Sequence, residues 1–238
     1  MKKIFYLAAM VLCLGIAATS CKKDDTKDAE IEDLGGGIYK INGARFVDLG
    51  LPSGLLWAEC NVGATSTTER GNRFAWGETE SKTGDYTPEN YKFGTSADNY
   101  TKYSERDGKQ VLEAADDAAT VALGSPCRTP LSSEFKELLS SDNTTGEWTS
   151  KTTSDGKTVK GYEVKSKKNG NSVFFPALRY TPGNDQAEYW CADIYDNVPF
   201  DYELASHRLF NEIAGTLGFG GVSRYFSSEI RPVANISK

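Results

Sequence analysis

The stretch Gly161-Tyr162-Glu163-Val164-Lys165-Ser166, followed by Lys168-Asn169-Gly170-Asn171 and Ser172-Val173-Phe174-Phe175, decides how this chain is read. Its first part alternates apolar and polar residues with the period of a half-covered strand. The Asn-Gly dipeptide tolerates positive φ, so the chain turns there and returns antiparallel. Ile38-Tyr39-Lys40-Ile41 and Ala44-Arg45-Phe46-Val47 flank Asn42-Gly43 and predict a second hairpin by the same logic. Further strand candidates are Leu55 to Ala58, Arg73 to Trp76, Tyr189 to Ala192, Tyr202 to Ala205, Arg208 to Ile213, Ser223 to Phe226 and Glu229 to Val233.

Two helices are predicted between these strands. Ala114 to Leu123 carries Asp116 and Asp117 in its first turn, where carboxylates favour the positive end of the helix dipole, and Gly124 stops it. Ser132 to Ser140 places Phe135, Leu138 and Leu139 on one stripe, with Ser132 or Ser133 as its cap. Helices grouped in mid-chain with strands on either side predict one α+β domain rather than an alternating α/β fold. From Gly77 to Lys109 the chain is irregular but holds Tyr86, Tyr91, Tyr100 and Tyr103, which are expected to pack that segment.

The N-terminus states an address. Lys2 and Lys3 precede an apolar run from Ile4 to Ala18, shorter than the roughly 20 residues that span a bilayer and suited to a signal peptide. Ala18-Thr19-Ser20-Cys21 resembles a bacterial lipoprotein signal, which implies removal of residues 1–20 and acylation, as with palmitate, of Cys21. Each buried methylene contributes about 0.8 kcal/mol, so two or three chains would hold the protein to the membrane. Lys22-Lys23-Asp24-Asp25 is similar to the acidic export signals of Bacteroidota lipoproteins, which implies an outer-membrane location facing the cell exterior. Residues 21–37 lack aromatics and end in Gly35-Gly36-Gly37, so they read as a flexible tether before a domain at 38–238.

Composition narrows the function. There are 27 Lys and Arg against 33 Asp and Glu, a formal charge of −6, and loss of Lys2 and Lys3 with the signal makes it −8. Such a balance argues against nucleic acid as a partner. The lysines from Lys151 to Lys168 read as a solvated hairpin edge. His207 is the one histidine and has no nucleophile motif beside it in sequence, and no Cys-x-x-Cys spacing supports zinc. No catalytic residue, metal or cofactor is assigned. Cys60 reads as a buried free thiol. Asp185, Asp193, Asp196 and Asp201 follow the hairpin without a known calcium-loop spacing. Aromatics lie among these acids, and Tyr195, Tyr202, Asp193 and Asp196 are the candidate ligand-binding residues.

Several blocks together resemble the Fibrobacter succinogenes major paralogous domain. They are Phe46 through Ala64, Phe74-Ala75-Trp76-Gly77-Glu78, Asp116-Asp117-Ala118-Ala119, Cys127-Arg128-Thr129-Pro130 through Phe135, Gly161 to Pro176, and Ile230-Arg231-Pro232-Val233. The resemblance implies a single C-type-lectin-like domain with Phe46-Val47 near Arg231 to Val233, two helices below and long loops above. Cys127 and Cys191 stand where the family has tryptophan and serine, which implies a private disulfide between them. Glu78 and Arg231 lie in matched blocks and would form a structural ion pair. The function implied is a non-catalytic surface lipoprotein binding a polysaccharide, glycoprotein or other surface component through its upper loops. A glycan-active enzyme and a structural subunit of a surface or fimbrial assembly are the alternatives.

Overall fold

The computed structural model describes residues 29–181, 184–195, 202–212 and 216–236. The chain is α+β, mostly antiparallel sheet with two short helices. Among the described residues one sheet runs in the order β1 (Ile31–Gly35), β2 (Ile38–Ile41), β3 (Ala44–Asp48), β4 (Leu56–Ala58), β15 (Val233–Ala234), β6 (Cys127–Arg128). A second holds β7 (Thr144–Thr152), β8 (Thr158–Ser166) and β9 (Ser172–Pro176). A third holds β10 (Leu178–Thr181), β11 (Asn184–Ile194), β12 (Leu204–Asn211) and β13 (Thr216–Ser223). The pair β5 (Phe74–Ala75) and β14 (Ser227–Ser228) stands apart, and helices α1 (Ala118–Leu123) and α2 (Ser132–Leu138) lie mid-chain.

The turn chemistry acts as its sequence requires. Asn42 and Gly43 both have positive φ, 49° and 88°, and join β2 to β3 in full register. Val47 pairs with Trp57 and Trp57 with Val233, so β4 stands between the early and the closing strands. Trp57 meets Phe135 of α2 edge-on at 4.9 Å, and Phe175 stacks on Phe210 at 5.0 Å, uniting the three larger sheets in one core. The tyrosines of the irregular segment pack it as expected: Tyr91, Tyr100 and Tyr103 are buried with Trp76 and Phe93 in a second core.

Five expectations are corrected. Residues 31–35 are not part of a flexible tether, because Ile31–Gly35 forms β1 against β2. That strand needs only backbone pairing, and Gly35, Gly36 and Gly37 supply the turn with φ of 80°, 64° and 79°. Cys127 and Cys191 are free thiols. Cys127 pairs with Ala234 and joins Phe46 and Leu56 on one face of the six-stranded sheet, whereas Cys191 packs with the core beyond Trp57 and Val233 on the other, so the sheet separates them.

The first predicted helix is split into a 3-10 turn, Ala114–Asp116, and α1, which Asp117 caps by accepting from the Ala119 amide at 3.0 Å. No serine caps α2. Leu131 occupies the cap position, its amide donates to Glu134 Oε2 at 2.7 Å, and the Ser132 amide donates to Asp193 Oδ1 of β11 at 2.7 Å. Glu78 and Arg231 do not pair: Glu78 bonds Lys82 at 2.9 Å, and Arg231 donates to Asn61 Oδ1 at 2.7 Å and to the carbonyls of Phe174 and Ala58 at 2.8 and 3.2 Å.

Among the described residues no helix is long and apolar enough to cross a membrane.

Candidate functional site

The expected ligand residues do not converge. Asp193 accepts from the amide and hydroxyl of Ser132 and from the Ser206 hydroxyl, at 2.7, 2.6 and 3.1 Å, so its carboxylate serves the start of α2. Asp185 lies eight residues earlier on the same extended strand, roughly 25 Å away, too far to share an ion with Asp193. Tyr195 is half-buried with its ring against Gly221, where an added Cβ would fall 2.6 Å from a ring carbon. Tyr202 is half-buried against the second core. Asp196 and Asp201 lie outside the described residues. Among the described residues no three His, Cys, Asp or Glu side chains gather as a metal site.

A different site forms on the third sheet. Trp190, His207 and Gly220 are in register across β11, β12 and β13, so their side-chain positions share one face with Glu188 and Val222. On this face β13 offers Gly218 and Gly220. A Cβ at Gly220 would meet nothing within 4 Å. Glu188, His207 and Val222 of this face border a trough of about 490 Å³. Its walls are Arg73, the 84–86 loop, and Phe226 to Ser228 ahead of and within β14.

Each wall is fixed. Arg73 Nη2 donates to Glu188 Oε2 at 2.9 Å and to the Ser227 carbonyl, and Arg73 Nε lies 3.9 Å from buried Glu229. Glu229 is also paired with Arg70, and burial raises its carboxyl above the ordinary range. The Tyr86 hydroxyl donates to the Arg73 carbonyl at 2.6 Å and accepts from the Lys82 amide at 3.0 Å, which leaves its ring as the group presented. Phe226, 48 % exposed, lines the trough with its side chain open to solvent.

His207 lies under the trough. Its Nε2 is 2.9 Å from Ser228 Oγ, and its ring meets Trp190 edge-on at 5.3 Å. Burial, aided by Arg73 and opposed by Glu188, lowers its pKa from 6.5 to about 4, so the imidazole is neutral at physiological pH. Ser228 and His207 are 2 % and 6 % exposed, which places this hydrogen bond in the floor and out of reach of a bulky ester or glycoside. Neither the serine partner nor the trough was foreseen from sequence. Its residues span Arg73 to Ser228, so no local window of the sequence contains them.

A second hollow, of about 450 Å³, borders Asn42, Arg45, Cys60 and Pro232. Burial pushes the Cys60 thiol up, which makes it a poor nucleophile. No protein-family model, curated protein or solved structure matches the chain.

Proposed function

We propose that this chain is a non-catalytic surface lipoprotein that binds a glycan, free or on a glycoprotein, in the trough over β11, β12 and β13. The observation that carries the reading is a trough over Glu188, His207 and Val222 that is lined by Tyr86 and the exposed Phe226, beside the Arg73–Glu188 ion pair and Asp85. A pyranose has an apolar face that stacks on aromatic rings and hydroxyls that bond fixed charged groups, and it needs a concave site of this composition. Glu188 is committed to Arg73, and the Ser228–His207 hydrogen bond is buried, which favours binding over bond cleavage. The fold is proposed to be C-type-lectin-like, in the Fibrobacter succinogenes major paralogous domain family, on the sequence blocks given above.

Anchoring follows from Cys21. The exported chain is proposed to lie in the outer membrane facing the exterior. Labelling of expressing cells with palmitate is expected to mark the chain, and Cys21→Ser is expected to abolish the label and release the protein. Retention of label in that variant would contradict the anchor.

Binding is tested with the purified chain against plant-fibre polysaccharides, mucin and cell-envelope polysaccharide, with released reducing ends assayed in parallel. Binding to at least one without release of reducing ends supports the proposal. Absence of binding to all three overturns it, and release of reducing ends replaces it with the enzyme.

A further inference from the structure

We propose that β7 pairs edge to edge with β7 of a second copy of this chain, antiparallel and centred on Thr149. The observation is independent of the trough, which lies on another sheet. Among the described residues β7 pairs only with β8, in unbroken register over nine residues from Thr144–Ser166 to Thr152–Thr158. Its outer edge therefore presents a long row of backbone donors and acceptors. Proteins usually blunt such an edge with proline, a bulge or unpaired charged side chains. β7 has no proline and no bulge, and its one lysine is engaged within its own sheet: Lys151 Nζ lies 3.2 Å from Glu163 and over the Phe174 ring at 4.7 Å.

The charges specify the occupant and the register. Glu147 is exposed and stands directly opposite Glu163 within the sheet, a like-charge pair that disfavours the strand as it is. Antiparallel pairing about Thr149 puts Glu147 of each copy opposite Lys151 of the other, on the same face. Each Lys151 then lies between Glu163 of its own chain and Glu147 of the second copy. No other partner is required, because the strand is complementary to itself about that one position. Two three-stranded sheets would become one of six strands, with two-fold symmetry.

Register-specific cross-linking of the full chain tests this. Directly opposed residues in an antiparallel pair have Cα atoms about 4.5–5.5 Å apart, within the span of a disulfide. Thr149→Cys is therefore expected to give a disulfide-linked dimer under mild oxidation. Thr152→Cys is expected to give none, since its counterpart would be about 20 Å away. In the Thr149→Cys background, Glu147→Lys is expected to lower dimer yield about tenfold, and Glu147→Lys with Lys151→Glu to restore it. Glu147→Lys also relieves the clash with Glu163, so a lost cross-link in that variant is not unfolding. Equal cross-linking at 149 and 152, no cross-linking at 149, or an adduct of a size other than twice the chain would overturn the proposal.

Discussion

Arg231→Ala is expected to destabilise the fold by about 4 kcal/mol, near the upper end for a single substitution. Arg231 is fully buried, yet among the described residues no carboxylate forms a salt bridge with it. Its charge is held instead by three acceptors, Asn61 Oδ1 and the carbonyls of Phe174 and Ala58, and by the faces of Phe175 at 4.6 Å and Tyr189 at 6.0 Å. Desolvation lowers its pKa, the sign expected of a cation kept from water. Truncation would leave those acceptors buried without a donor, each at a cost of about 1–3 kcal/mol, beside a cavity against Phe175. Arg231→Lys is expected to lose less, because an ammonium keeps the charge but cannot match the guanidinium fork. Arg45→Ala, which removes an exposed ion pair to Glu59, is expected to change little. Urea denaturation of the three variants checks the ranking, and a small effect at Arg231 would show that its network is not structural.

Acid should weaken the fold through His207. The folded chain holds the imidazole neutral down to about pH 4, whereas the unfolded chain protonates it near 6.5. Between those values the unfolded state binds more protons, so stability falls as pH falls from 6.5 to about 4 and levels off below. The expected loss is about 3 kcal/mol. Glu229 acts with the opposite sign: its raised pKa lets the folded state take a proton first, which returns stability on acidification. Asp116 is lowered and adds a loss only below its ordinary 3.8, where bonds from Lys92, Lys102 and Tyr103 are forfeited. The His207 share is isolated by comparison with His207→Gln, whose amide can still bond Ser228. Denaturation curves from pH 7 to 4 should converge toward acid, the wild type losing more. Parallel curves would refute the assignment.

Legibility in the sequence followed local signals. The hairpin at 38–48 announced itself because Asn42-Gly43 sits between alternating runs, and β8 and β9 did so for the same reason. Trp57, Phe135 and Tyr103 are core residues that composition alone points inward. β7 escaped notice because an edge strand with one open side carries threonine, glutamate and lysine without a regular apolar period. β1 has no buried side chain to betray it, and β13 is a strand in spite of its glycines. The two candidates Tyr202 to Ala205 and Arg208 to Ile213 share one continuous strand, Leu204–Asn211, since buried Ser206 and His207 break the apolar pattern without breaking the pairing. Acids in the Asp193 region suggested a ligand, but Asp193 was answering the unsatisfied amide of Ser132, a long-range need that no local window contains.

The trough is likewise a product of register. Glu188, His207 and Gly220 come from three strands, and only the pairing of β11 with β12 and β12 with β13 sets them on one face. Val222, two residues beyond Gly220 on the same face, lines the trough with Glu188 and His207. The most direct test is the dissociation constant of the tightest glycan from the panel, measured for the wild type and for Phe226→Ala, with thermal unfolding of both as the control. The expected result is an unchanged fold and a dissociation constant raised at least about tenfold. A folded Phe226→Ala that binds as tightly as the wild type would contradict the trough as the site.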